Sequence, residues 1–184
     1  MHELKEELIR ARNRWTHRGK SRPDFAVEPK SGQESVWDYP RPPKIDNDPR
    51  LVVVKFKDQI IAESSNTVRV LETASPPVFY IPPTDVNFDY LQKQEMDSLC
   101  EWKGLATYFA VVLDDLIINN AGWGYLEPFS DFEQIKDYIS FYPSKLDCFV
   151  ANEKVKPQPG GFYGGWVTSE IVGPFKGEPG TSWW

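Results

Sequence analysis

Two ionisable side chains stand where this sequence otherwise calls for apolar ones. Glu72 lies in TVRVLET, residues 67–73, and Lys103 lies in CEWKGLATYF, residues 100–109. Strand alternation puts Val68, Val70 and Glu72 on one face, so the carboxylate points inward at the core edge if the valines face the core. A polar group there costs free energy unless it is paired or used. Glu72 can therefore serve as an acid, a base or a ligand acceptor; its structural alternative is an ion pair with Lys103 or an arginine. Lys103 can bind an anion or, with a lowered pKa, form a Schiff base; its alternative is a pair with Glu72 or Asp85. Asp85, in PPTDV, either joins this chemistry or caps a turn.

Aromatic residues crowd the same region. Tyr80, Tyr108, Trp123 and Tyr125 can wall a cage that stacks a flat ring or encloses a cation, or they pack an ordinary core. Trp37, Asp38 and Tyr39 lie in ESVWDYPRPP, residues 34–43. They can close a pocket from above, or form a strap anchored by Trp37. Cys100 has no histidine near it in sequence, so a buried, inert thiol is expected. Cys100 and Cys148 form no C-x-x-C, and His2 and His17 both fall in the N-terminal arm. A Cys/His metal site needs about four ligands, so neither metal nor cofactor is expected. A disulfide between the two cysteines is disfavoured in a reducing compartment. Glycines 160, 161, 164 and 165 lack the G-K-[ST] of a phosphate loop and read as tight turns dressed with aromatics.

The elements that must position these groups are mostly strands. Leu4, Leu8, Ala11 and Trp15 form a helical stripe, predicting a short amphipathic helix over 3–14. Prolines make 19–47 an extended connector. Strands are predicted at 51–56, 59–64, 67–73 and 78–81, with a turn at Lys57 and Asp58. Residues 84–91 read as turn-like. The strongest strand signal runs over 98–113, followed by NNAGWGYL, LDCFV and WVTSEIV. Ser130 and Glu133 form a capping box ahead of a short central helix with Phe132, Ile135 and Ile139 on one stripe. The expected fold is mainly β: a small β-tent-like sheet or sandwich with an N-terminal and a central helix. The expected organisation is a helical arm and linker over 1–33, a β-rich core over 34–150, and a Gly/Pro/aromatic-rich extension over 151–184 packed on the core.

A net charge of −6, with both signs interspersed, argues against non-specific binding to nucleic acid or anionic membrane. No apolar run reaches the roughly 20 residues of a membrane span. The N-terminus lacks the apolar stretch of a signal peptide and carries Glu3, Glu6 and Glu7, which predicts a cytoplasmic protein.

The motifs ESVWDYPRPP, RVLETASPPVFYIPPTDV, CEWKGLATYF, GWGYLEP and DYISFYP resemble the domain of unknown function 427 family, over roughly residues 34–143. The Gly-rich tail resembles the longer version met in cyanobacteria. The resemblance implies a compact β domain related to the β-tent of cereblon's ligand-binding domain and of methionine sulfoxide reductase B. Relatives of that architecture often hold zinc through two cysteine pairs, which this chain lacks. A nucleotidyl-transfer label attached to the family has no matching Asp-x-Asp motif here. The leading expectation is a metal-free domain binding a small molecule in an aromatic pocket with an inward Glu72 and Lys103. The alternatives are a metal-independent enzyme using those two residues, and a partner-binding or self-associating protein using the arm and the tail, for which a homo-oligomer is compatible.

Overall fold

The computed structural model describes residues 2–184, with side chains from Glu6 onward; Leu4 of the predicted stripe lies outside the described side chains. The N-terminal helix spans His2–Asn13, closing on Arg10 and Arg12 as the helix dipole favours. Trp15, just beyond it, is buried. Among the described residues no helix is long and apolar enough to cross a membrane.

The rest is mainly β, built as mostly antiparallel sheets that form no closed barrel. A three-stranded sheet orders Lys44–Asp48, Thr67–Leu71 and Val78–Tyr80. A four-stranded meander orders Ile139–Phe141, Leu116–Gly124, Gly104–Leu113 and Leu91–Cys100. A second four-stranded sheet orders Glu153–Lys154, Asp147–Val150, Val52–Phe56 and Gln59–Ser64. Two-residue ribbons tie in the flanks: Glu34–Ser35 pairs in parallel with Ile171–Val172, and Lys156–Pro157 pairs with Trp166–Val167. A bridge between Ile81 and Ile139 joins the three-stranded sheet to the meander.

Alternation decides which core each strand feeds. Phe79 enters one cluster with Val52, Ile61, Val111 and Phe141, while its neighbour Tyr80 enters another with Val68, Val70, Tyr108 and Trp123. On the strand Gly104–Leu113, Ala106 and Tyr108 join the second cluster, and Phe109 and Val111 the first. The two strands thus separate an aliphatic core from a tyrosine- and tryptophan-rich one.

Several elements differ from the sequence expectation. Residues 98–113 are not one strand. Leu91–Cys100 and Gly104–Leu113 form a hairpin whose turn is Glu101, Trp102 and Lys103, closed by Gly104 at φ 107°. The first of these strands, LQKQEMDSLC, carries no apolar alternation because it is a largely exposed edge, paired on one side only. Lys44–Asp48, read as connector, is likewise a polar strand. The central helix is shorter and tighter than expected, a 3-10 segment over Ser130–Ile135 with no side-chain cap and a kink at Phe132. Ile139 leaves it and pairs with Gly124 instead. Gly122 and Gly124 permit this, since a Cβ at either would run into the backbone carbonyls of Ser140 and Tyr138. WVTSEIV is two short strands in different ribbons rather than one.

Candidate functional site

The aromatic cluster does not close on itself. It surrounds a cavity of about 340 Å³, at the small end of the roughly 300–1,000 Å³ range typical of small-molecule sites. Val70 and Glu72 come to it from the end of one strand, and Tyr80 from its neighbour. The hairpin contributes Ser98, Cys100, Glu101 and Lys103 around its turn, then Ala106 and Tyr108. Trp123, Tyr125 and Tyr142 form a further wall, with Trp123 and Tyr142 ring centroids 4.4 Å apart. Arg14 and Trp15 approach from the helix end, and Gln158, Tyr163 and Lys176 from the tail.

Six of the ten residues singled out by sequence therefore share one cavity: Glu72, Tyr80, Lys103, Tyr108, Trp123 and Tyr125. Four do not reach it. Trp37 is buried in a separate cluster with Val36, Leu71 and Ile171, edge-on to Trp184 at 5.1 Å. Asp38 accepts two bonds from Arg22, each 2.7 Å. The Tyr39 phenol donates to Glu34 at 2.7 Å. These three form a strap anchored by Trp37, not a lid. Asp85 accepts from the Ser64 hydroxyl at 2.6 Å and sits in the 3-10 turn Pro83–Asp85.

Lys103 could not be placed by parity, because alternation through 98–113 assigns it to the face opposite Tyr108. The turn breaks that alternation and swings Lys103 into the cavity beside Cys100, Tyr80 and Glu72. Burial pulls its ammonium toward the neutral amine; Cys100, Tyr80 and Glu72 act against burial, Glu72 as the one carboxylate among them, and the pKa lies above the ordinary lysine value. Lys103 is thus a cation at neutral pH, suited to an anion and opposite to the lowered amine that Schiff-base chemistry asks for.

Glu72 takes an arginine as its partner. Arg41, itself 3% exposed, donates from Nε to Glu72 at 3.0 Å, from Nη2 to the Thr73 carbonyl at 2.8 Å and from Nη1 to the His17 carbonyl at 3.1 Å. Its guanidinium lies 4.5 Å from the Trp15 ring centroid. Two further cations face that indole: Arg14 at 4.6 Å and Lys176 Nζ at 3.6 Å. The Trp15 Nε1 donates to Glu101 at 2.6 Å. Burial brings Lys176 down to about 8, with Glu72 opposing the shift and Arg41 adding to it.

The phenols of Tyr80, Tyr125 and Tyr142 stay protonated. Burial raises Tyr80 to about 12, against the opposing charge of Lys103, and raises Tyr125 and Tyr142 further. Tyr108 shares a 2.8 Å hydrogen bond with Ser98, and the Trp123 Nε1 donates to Tyr80 at 3.3 Å. Both cysteines are free thiols: Cys148 is buried in the aliphatic core, and Cys100 is half-buried at the cavity. Among the described residues no group of three or more His, Cys, Asp or Glu side chains is arranged to hold a metal ion.

Among the site residues the sequence did not single out, which include Arg14, Glu101, Tyr142, Gln158 and Tyr163, are Arg41 and Lys176. Both lie in proline- or glycine-rich stretches, YPRPP and GPFKGEP, where no periodicity reports which way a side chain points. Trp15 was legible only as the end of the helical stripe.

Fold and site define a mainly β protein in which small sheets enclose a charge-bearing aromatic cavity. Residues 44–152 match the family described as Domain of unknown function (DUF427), and the chain belongs to that family. No curated protein matches the chain. Glu72, Tyr80, Lys103, Tyr108, Trp123, Tyr125 and Tyr142 lie inside the matched segment, whereas Arg14, Trp15, Arg41, Tyr163 and Lys176 lie outside it.

Proposed function

We propose that this protein binds a small molecule in the aromatic cavity, held by its own side chains with Glu72 and Lys103 among the contacts. The convergence of Glu72, Tyr80, Lys103, Tyr108, Trp123 and Tyr125 on one cavity, from separate strands and loops, carries this reading. A buried lysine, a carboxylate and several phenols are costly to gather in one place by packing alone. Convergent polar groups among aromatic walls supply the orientation and the contact area that recognition needs.

Thermal unfolding of the purified protein across nucleosides, nucleotides, amino acids, sugars and cyclic imides tests the reading. A ligand at about 100 times its Kd adds about 2.7 kcal/mol of stability. The expected result is a stabilising compound whose effect disappears in Trp123→Ala and weakens in Glu72→Gln. A panel with no response, or a response that survives Trp123→Ala, moves the function away from this cavity.

A further inference from the structure

The charges at the cavity do not balance. Three cationic side chains line it, Arg14, Lys103 and Lys176, against two carboxylates, Glu72 and Glu101. The Glu72 carboxylate already takes an ion pair from Arg41, which stands behind it. Glu101 is engaged by the Trp15 indole. Among the described residues neither lysine lies within ion-pair distance of a carboxylate, although Lys103 is 9% and Lys176 5% exposed. Lys176 has instead the face of an indole, a weaker partner than a carboxylate. Buried ammonium groups normally meet counter-charges. On a chain with a net charge of −6, a cavity lined by more cations than carboxylates runs against the overall balance.

We propose that the ligand of this cavity is a small organic anion with a flat ring, its carboxylate or phosphate head directed at Lys103 and Lys176 and its ring at the Trp123 and Tyr108 side. This rests on the cavity-binding reading above and narrows it to a chemical class. The head group supplies a counter-charge at ion-pair distance, where Glu72 acts on both lysines only from farther away. The ring occupies the wall where Trp123, Tyr142 and Tyr108 present apolar area. The lysines come from different parts of the chain. Lys103 sits on the hairpin turn inside the family-matched segment, and Lys176 on the tail outside it. The tail therefore adds to the recognition of charge that the core begins.

The test uses matched pairs on the full chain, followed by titration calorimetry and thermal shift: nicotinate against nicotinamide, 4-hydroxyphenylacetate against its amide, and phenyl phosphate against phenol. The carboxylate and phosphate arms distinguish the two head groups. At least one anion is expected to bind tenfold or more tightly than its neutral partner, with a further tenfold loss in both Lys103→Met and Lys176→Met. Lys20→Met, at an exposed position, should change nothing. Neutral partners binding as well as the anions, with loss in Trp123→Ala, would overturn the anion class and leave the cavity reading standing. No pair binding while an uncharged compound from the wider panel does would have the same meaning. Binding that persists in Trp123→Ala would overturn both. Should either lysine variant fail to fold, by near-ultraviolet circular dichroism, the comparison of anion with neutral partner on the unaltered protein still decides.

Discussion

At Trp15 three cations meet one indole, and the least stable of them as a cation is Lys176. Arg14, Arg41, Glu72 and Glu101 are the charged groups that act on it, and the rings of Trp15 and Tyr163 face its Nζ. Its pKa stands at about 8 in the folded protein, against about 10.4 in an unfolded chain. Between those values the unfolded chain binds more protons than the folded one. Stability contributed at this position therefore rises with pH across that window. Below pH 8 both states are protonated, and the full cost of burying the ammonium is present. Urea unfolding of wild type and Lys176→Met from pH 7 to pH 10 checks this. Other groups titrate alike in both proteins and cancel in the difference. The wild type should gain on the variant from pH 8 upward, and parallel curves would refute the assignment. Burial lowers the Arg41 pKa as well, against the opposing charge of Glu72, but its planar fork reaches three acceptors at once, a geometry that lysine cannot reproduce.

At the scale of elements, the glycines of the tail read from sequence as turns, yet one of them is a packing site. A Cβ at Gly164 would land on the ring carbons of Trp123, the wall of the cavity. Gly164→Ala must therefore lift the tail loop or turn the indole, for about 1–3 kcal/mol of stability. A lower urea midpoint together with altered near-ultraviolet dichroism is the expected outcome; an unchanged aromatic spectrum would mean the loop does not bear on Trp123. Such contacts are invisible in a sequence, because a loop has no period. Where a period exists it was informative. Alternation alone puts Val68, Val70 and Glu72 on one face; Val68 and Val70 enter the aromatic cluster, and Val70 and Glu72 line its cavity. Alternation misled across 98–113, where a three-residue turn left the apolar pattern intact while reversing the chain. It was silent over 91–100, an edge strand that is largely exposed and meets the cores only near its ends. The capping box at Ser130 and Glu133 failed for another reason. A strand pairing between Ile139 and Gly124 competes with the helix for the same residues, and tertiary pairing prevails over local propensity.

For the whole molecule, the question is whether the tail completes the core or only decorates it. Trp166 lies outside the family-matched segment and is fully buried in the aliphatic core. Its backbone N–H donates to the Pro77 carbonyl at 2.8 Å, its Nε1 to the Phe141 carbonyl at 3.0 Å, and its ring lies 5.0 Å from that of Phe79. Ile171 does the same for the cluster around Trp37, and Trp184 stacks on Phe25 at 5.0 Å. A tail that supplies a core tryptophan cannot detach without opening a large cavity, so tail and sheets should unfold together. We expect a single urea transition, with tryptophan fluorescence and far-ultraviolet dichroism coincident. Trp166→Ala should cost about 3–5 kcal/mol. It should move both probes to the same lower midpoint. An early fluorescence transition that leaves the β signal intact would instead describe a finished β unit with a separable tail. Lys176 would then be free to leave the cavity, and the charge pair proposed for the ligand's head group would have to be sought on the matched segment alone.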